Sequence, residues 1–480
     1  MPNILASLSS AGNALDVFQQ ALGVIQNNVD NSSTPGYATQ SLNLAAQPLV
    51  LTGGLTGGVA ARGLDDSRDT YAEEQVQQQT QTLGLYTAQA QSTGTLQSFF
   101  DVSGTGGVPA ALNNLLSAFS NWSVTPNDPT AQQNVLANAQ GLASSINGLA
   151  NSLSSASQQM DSQISATVSK INSIAAQVQQ YNQQVLQSPT PDPGSEANLY
   201  SALDNLSQLA NFSTVKQSDG TITVMLGGGD ALVMGTQVNQ LSASDAVANN
   251  PPATYPNSPP SAVITDSQGN DVTSQITSGQ LGGLLDTRNR VLGSMLGNAQ
   301  QQGTLNQFAQ TLADTVNNIL ESGTVSTAPG AAAGTALFTY DNTNATNVAA
   351  SLALDPTITA GGLAPVDSSG NANGNANQLA NLGTTGNAAG NIGGLNLVQF
   401  LGQMASHIGQ ENQTATTNQN TQQQIAAQAT ALRDQVSGVS LDTQATSLLQ
   451  FQRAYQATAQ VLTVLNSMLD TTINMMTVTA

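Results

Sequence analysis

The 480-residue chain has no cysteine, which excludes disulfides, thiolate nucleophiles and cysteine-ligated metals. It has one histidine, His407, set in a glutamine- and asparagine-rich helical stretch, where a surface or packed role is expected rather than a catalytic one. Charge is scarce and one-sided. Lys plus Arg number 8 against 28 Asp plus Glu, a net charge of −20, and charged residues make up 8% of the chain instead of the usual quarter. No basic run exists to meet a phosphate backbone, so no nucleic-acid partner is expected. No apolar run approaches the ~20 residues of a membrane span, so no membrane insertion is expected. The opening MPNILASLSSAGNALDVFQQ has neither a basic n-region nor a compact apolar h-region, which predicts no cleavable secretory signal. Polarity comes from Gln, Asn, Ser and Thr, and such a surface can pack against copies of itself with little like-charge repulsion.

Catalytic and metal-binding patterns are equally sparse. Asp65-Asp66 and Glu73-Glu74 are carboxylate pairs, but neighbours on a helix point apart, so they read as solvated positions or helix N-terminal charges. Gly227-Gly228-Gly229 lacks the Lys-Ser/Thr of a phosphate loop and lies between strand patterns, which predicts a hairpin turn. DSQGND (266–271) and DSSGNANGN (367–375) hint at calcium loops without the distal Glu, and Asx–Gly turns account for both. No serine-centred nucleophile elbow is present. No enzyme activity, cofactor or metal is expected.

What the chain does have is helical periodicity at both ends. Ile4, Leu8, Ala11, Leu15, Phe18, Leu22, Ile25 and Val29 are spaced alternately four and three residues apart, a heptad seam. Leu448, Phe451, Tyr455, Thr458, Leu462, Leu465, Leu469, Thr472 and Met476 repeat it, with Ser440 as the expected N-cap after the break at Gly438. The two stripes invite pairing, or each helix packs separately on the main body. The first helix is ended firmly by Thr34-Pro35-Gly36: proline drives Thr34 out of the helical region and Gly36 permits positive φ.

Between the ends, 64–100 and 130–187 read as long helices, the second striped by Met160, Ile164, Thr167, Ile171, Ile174, Val178, Tyr181 and Val185 and capped by Asp128 or Thr130. The period then drops to two. STVKQSDGTITVML (213–226) predicts a hairpin about Asp219-Gly220, and 261–276 a second one. Helical pattern returns over 281–321 and 397–436, separated by a Gly-, Ala-, Asn- and Thr-rich segment. The expected fold is mainly α with β inserts: an elongated multi-domain rod with long, coiled-coil-like N- and C-terminal helices. Its expected parts are an axial helix and turn (1–60) paired with 438–480; a helical rod domain (61–187, 281–335 and 396–437); a protruding β-rich insert (188–280); and a small insert (336–395).

The stretch NNVDNSSTPGY resembles the signature of bacterial flagellar rod, hook and hook-associated proteins, which Asn27, Asn28, Val29, Asn31, Thr34, Pro35, Gly36 and Tyr37 fit. Asp30 and Ser33 stand where Ala and Asn are more usual, and Thr39 replaces a common Arg. Several further segments are similar to the hook-associated protein 1 (FlgK) family. These are SNWSVTPNDPTAQQNVLANAQGLASSINGLANSL (120–153), SDGTITVMLGGGDALVMG (218–235), ITSGQLGGLLDTRNRVL (276–292) with LNQFAQTLADTVNNI (305–319), and GVSLDTQATSLLQFQRAYQATAQVLTVLNSMLDTTINM (438–475). NLYSALDNLSQLA (198–210) departs from the family's Leu-Leu-Asp-Gln-Arg-Asp run.

The resemblance implies a structural component of the flagellum, at the junction between hook and filament. It implies export, unfolded and extracellular, through the flagellar type III export apparatus, with an export chaperone on the C-terminal helix. The implied partners are further copies of the chain in a ring or tube, the flagellar hook protein and hook-associated protein 3. The terminal helices would be disordered in the monomer and pair on assembly, with Ile4, Leu8, Leu15, Phe18, Leu22, Ile25, Leu448, Phe451, Tyr455, Leu462, Leu465 and Leu469 as the seam. Another axial subunit, of hook or distal rod, shares the opening motif and remains an alternative, as does a secreted adhesin or surface hydrolase.

Overall fold

The structure is a computed structural model that describes residues 2–48, 57–100, 106–188, 192–248, 251–384 and 389–478. Helix α1 (Pro2–Asp30) leads into a hairpin of β1 (Gln40–Gln47) and β2 (Gly58–Asp66), then α2 (Thr70–Gln97), α3 (Gly107–Val124), α4 (Pro129–Gln187) and α5 (Pro193–Leu209). A four-stranded antiparallel meander follows: β3 (Phe212–Lys216), β4 (Ile222–Leu226), β5 (Ala231–Met234) and β6 (Gln237–Val238). Next come β7 (Ser242–Ala246) and β8 (Ser261–Thr265), which pair with each other, and α6 (Gly279–Leu285). A π-helical stretch, Asp286–Leu292, joins α6 to α7 (Gly293–Leu296), followed by α8 (Thr304–Glu321). After the short elements β9 (Phe338–Thr339), α9 (Val348–Ser351), β10 (Ala353–Leu354) and α10 (Gly374–Ala380), two long helices close the chain, α11 (Leu397–Ser437) and α12 (Leu441–Val478). The fold is mainly α with small β inserts.

The 59 residues of α4 form its longest element, about 88 Å at 1.5 Å per residue. Asp128 caps it by accepting from the Thr130 amide at 2.9 Å, with Pro129 in the first turn. Its stripe from Met160 to Val185 is buried throughout. The two ends of α4 serve different cores. The N-terminal half packs with α3, α8 and the start of α11 around Phe119, Trp122 and Phe308. The C-terminal half packs with α5, α6 and the strands around Ile171, Val178, Leu206 and Val224.

Several expectations change. Residues 336–395 are no separate insert: Leu337, Phe338, Val348, Leu363 and Leu379 are buried in the same core as α3 and α8. Strands β1 and β2 pair as a long hairpin with a bulge between Asn43 and Leu44, where residues up to 60 were read as an axial helix and turn and those from 61 as the start of the helical rod domain. The segment 261–276 is not a hairpin of its own. β8 pairs with β7 from Ser242↔Thr265 to Ala246↔Ser261, and only a single bridge, Thr265↔Asp271, closes its far side. The insert read over 188–280 begins with helix α5, and α6 joins its core rather than the rod's. Helix α3, whose buried face includes Leu112, Leu115, Phe119 and Trp122, was not anticipated.

Neutral amides fasten the strands to the helices. Asn182, fully buried on α4, donates to the Ile222 and Gly235 carbonyls at 2.8 and 2.7 Å and accepts from the Ile222 amide at 2.8 Å. Asn289 brackets β8 the same way through Ala262, at 2.9 Å in both directions. The π-helical turn that carries Asn289 also sends Arg288 to Asp161 on α4 at 2.8 Å and Arg290 to Glu411 on α11 at 2.8 Å. One turn thereby ties both cores and α11 together.

Candidate assembly surface

Helices α1 and α12 lie antiparallel, since Phe18 stacks near Phe451 (centroids 6.2 Å apart) while Asn28 reaches Gln444 at 3.1 Å. Of the heptad positions on α1, Ile25 is buried and Ile4, Leu8, Leu15, Phe18 and Leu22 are half-buried. On α12, Leu448, Phe451, Leu462, Leu465 and Leu469 are half-buried, whereas Tyr455 is 36% exposed. The side chain of Met476 lies outside the described residues. The most deeply buried flank of α1 is a different one. Val17, Ala21 and Asn28 are 6%, 3% and 1% exposed, because the unanticipated hairpin also packs along α1 and Ser10 donates from it to the Gly57 carbonyl. Two helices and a hairpin cannot enclose a seam, so most of its side chains stay partly exposed.

The turn after α1 is a dense hydrogen-bonded joint. Asn31 donates to the Asn27 carbonyl and side chain at 3.0 and 2.7 Å, and Thr34 donates its hydroxyl to Asn31 at 3.1 Å. Asn28 meets its full amide capacity: its Oδ1 accepts from the Tyr37 hydroxyl and the Gln40 amide, both at 2.9 Å, and its Nδ2 donates to the Gln40 carbonyl at 2.8 Å and to Gln444. Gly36 has φ +74° and lies against α5. A Cβ there would sit 2.7 Å from the Ser201 amide nitrogen and closer still to the Ala197 carbonyl, so glycine is required twice over. Pro35 and Gly36 also line a cleft of about 460 Å³ with Arg433 and Ser437 at the other chain break. Thr39, in place of a family Arg, makes backbone-directed contacts instead: its amide donates to Ser437 O at 2.9 Å and its hydroxyl to Gly438 O at 2.8 Å.

Beneath this joint is a charged cluster that sequence reading missed. Glu73, expected to be a solvated or helix N-terminal charge, does lie in the first turn of α2 but is only 4% exposed. It pairs with Arg68 at 2.7 Å and more loosely with Arg433 at 3.5 Å. Arg433 pairs with Asp204 of α5 at 2.9 Å. Arg68 also lies 3.6 Å over the Tyr200 ring and donates to Gly36 O at 2.7 Å. Burial pushes the Glu73 and Asp204 carboxyls above their ordinary values, against the opposing pull of the arginines. The only available signal was the scarcity of cations, which makes any arginine near a carboxylate notable. Arg68 and Glu73 are five residues apart, and Arg433 is remote in sequence.

The remaining sequence candidates are spent locally. Asp266 accepts from the Gln268 and Asn270 amides at 2.8 Å each, and Asp367 from the Ser369 and Asn371 amides at 2.9 Å each; both are Asx turns. His407, expected to be a surface or packed residue, lines a cavity of about 190 Å³ with Met295 and Met404, and Glu411 stands one turn away. Among the described residues no cluster of three or more His, Cys, Asp or Glu could hold a metal ion, and no helix is long and apolar enough to cross a membrane.

Residues 93–338 match the family model of the flagellar hook-associated protein FlgK helical domain, and residues 433–475 that of the flagellar basal body rod FlgEFG protein C-terminal region. Flagellar hook-associated protein 1 of Bacillus subtilis is 26% identical over 518 residues, covering 99% of each chain. The protein of that name from Salmonella typhimurium is 25% identical over 334 residues, 65% of this chain and 55% of the relative, so the match spans about half the enterobacterial protein's length. A solved structure, the flagellar hook junction protein FlgK from Burkholderia pseudomallei, aligns with a TM-score of 0.47 at 27% identity, over 55% of this chain and 46% of that one.

Proposed function

The chain belongs to the flagellar hook-associated protein FlgK family, and from that premise we propose that it builds the zone between hook and filament by folding its terminal helices as it assembles. Its role is structural rather than enzymatic, and its place is the extracellular bacterial flagellum. The observation that carries the reading is the half-buried seam of α1 and α12. Fixing a backbone costs on the order of 1–2 kcal/mol per residue, and α1 and α12 together are long. Partial burial returns less than the full ~1.5–3 kcal/mol that a completely buried aliphatic or aromatic side chain contributes. Neighbouring copies in a ring or tube complete the burial, so ordering of the helices is favoured at the growing tip and not in the free chain.

Export proceeds through the flagellar type III apparatus as an unfolded chain, with a chaperone holding the C-terminal helix until then. The hook protein lies on one side of the assembled zone and hook-associated protein 3 on the other. The joint of Asn27, Asn28, Asn31, Thr34, Pro35, Gly36 and Tyr37 turns the chain from the inner helices to the outer domains.

Deleting the gene in its own host and imaging the cells tests the role. Bare hooks with filament protein shed into the medium are expected; intact filaments reject the junction role, and missing hooks indicate a rod or hook subunit. A Leu15→Asp variant separates the mechanism from the role: the central cores stay folded while junction assembly and motility are lost. Normal motility in that variant refutes the coupling.

A further inference from the structure

Resting on the assembly reading above, we propose that the contact between copies is head-to-tail: an apolar stripe on the outer part of α12 of one copy fills a groove between α1 and α12 of the next. The groove, about 860 Å³, is lined by Leu22, Ile25 and Val29 of α1 and Leu441, Ala445 and Leu448 of α12. The stripe is Val461, Val464 and Met468, which are 52%, 57% and 51% exposed.

Heptad geometry places the two surfaces on opposite sides. With Leu448, Tyr455, Leu462 and Leu469 in position a and Phe451, Thr458 and Leu465 in position d, Ala445 and Gln452 occupy e. Val461 and Met468 occupy g, and Val464 occupies c. Positions e and g flank an a/d seam on opposite edges. A chain therefore cannot fill its own groove with its own stripe, since both lie on one straight helix. A second copy can, and the resulting contact is heterologous, the kind that propagates into rings or helical stacks instead of closing as a pair.

Charge agrees with that register. Arg453 is the only cation of α12, and α1 has none. Among the described residues it has no ion-pair partner, and neither has Asp442. Arg453, in f, borders the stripe beside c; Asp442, in b, borders the groove beside e. Neighbours in parallel, offset by about 15 residues or roughly 22 Å along the axis, set Val461 between Ala445 and Leu448 and Val464 between Leu448 and Gln452. The same offset carries Arg453 to within about one turn of Asp442 on the accepting copy. Neither apolar surface contains a charge, so the chain's net negative charge does not oppose the contact.

Because the chain has no cysteine, paired thiols report the contact cleanly. An Ala445→Cys/Val461→Cys variant is expressed in the deletion host, and flagella sheared from the cells are oxidised mildly and run without reductant. A ladder of covalent oligomers is expected, with none from either single substitution. Assembled protein that stays monomeric overturns the inference and leaves the junction role standing, as does a dimer from Val461→Cys alone, which would mean stripe meeting stripe. Absence of even the wild-type chain from the flagella overturns both. As a second arm, Arg453→Asp and Asp442→Arg each lower the fraction of filamented hooks at least threefold, and the double reversal restores it. Failure of the double reversal to restore it overturns the register.

Discussion

Arg433 is the sharpest point at which to test the joint between the paired terminal helices and the outer cores. Its guanidinium, 16% exposed, holds Asp204 at 2.9 Å and reaches Glu73 at 3.5 Å. Arg433→Ala removes a close charge-assisted hydrogen bond to Asp204, of a kind that contributes about 1.5–3 kcal/mol, together with the longer contacts to Glu73 and to the exposed Asp434. Breaking a fully buried pair costs ~3–5 kcal/mol, but two features place this case at the lower edge. Asp204 is 27% exposed and can recover some hydration, and Glu73 keeps its tighter bond to Arg68 at 2.7 Å, where both side chains are nearly buried. The expected loss is therefore about 2–3 kcal/mol, or a ~30- to 160-fold larger equilibrium constant for opening. Amide hydrogen exchange on the purified chain reads it, in peptides from the end of α11 and the first turns of α2 and α5, with the core around Trp122 unchanged as internal reference. Adding Asp204→Asn, which removes the stranded charge, recovers part of the loss. A change under threefold refutes the structural role of the pair. A double variant that opens further than the single refutes the claim that the stranded carboxylate is what costs stability.

Gly36→Ala loses more than the ~1–2 kcal/mol of a left-handed backbone, because a Cβ also meets α5; Gly330→Ala, at φ +76° with open space around it, loses only the backbone part, and equal shifts in melting temperature would refute the packing argument. Asn182→Ala strands the Ile222 amide and two carbonyls and destabilises the strand-bearing core by about 3 kcal/mol or more, measured by exchange protection over β3–β5. Stability against pH has its maximum in mild acid. Glu73 and Asp204 have raised folded pKa values, so their contribution is present below their ordinary values and lost as pH rises through the raised ones. Asp219, Asp266, Asp341, Asp355 and Asp367 are held below the ordinary carboxylate value by Asx-type hydrogen bonds, so theirs is present above 3.8 and lost as pH falls below it. Thermal melts from pH 7 to 3 that fall without a maximum would contradict this.

Long regular elements were legible because one face of each must repeat. The burial of α4 follows its 3–4 spacing from Met160 to Val185, and α11 runs from Leu397 to Ser437 where 397–436 was expected. The turns at Gly220 and Gly229 were legible through their positive φ. What failed depended on distant partners. β8 chose β7 across an intervening loop instead of the residues next to it, and nothing local encodes that choice. The segment 336–395 looks like linker in composition, yet Asn317 holds Phe338 at both ends, accepting from its amide at 2.9 Å and donating to its carbonyl at 2.8 Å. The Arg68, Glu73, Asp204 and Arg433 cluster draws on three separated helices and the loop before α2, so no spacing announces it. The π-helical turn was read as ordinary helix, because widening by one residue per turn leaves the apolar pattern nearly intact.

The scarcity of charge acquires a structural reason. Four of the eight cations, Arg68, Arg288, Arg290 and Arg433, are committed to ion pairs at the places where separate helices must be held in one geometry. Nearly every other specific long-range polar contact uses an amide or hydroxyl: Gln422 with Gln79 and Asn412 with Gln97 along α2 and α11, Asn306 with Ala349, Asn172 with Leu241. An amide costs far less to desolvate than an ion, and it supplies both donor and acceptor, so one side chain can bracket a strand or a chain break without a charged partner. It is also indifferent to ionic strength, which screens exposed charges over about 8 Å in physiological salt. On the proposed reading, in which the chain folds outside the cell where copies pack closely despite a net charge of −20, both properties are an advantage. The acids can face solvent, while the surfaces of α1 and α12 proposed to meet neighbours are nearly neutral and would associate through apolar burial. Raising salt should therefore screen repulsion between the outer domains while leaving the inner contact intact, which favours assembly instead of dissolving it.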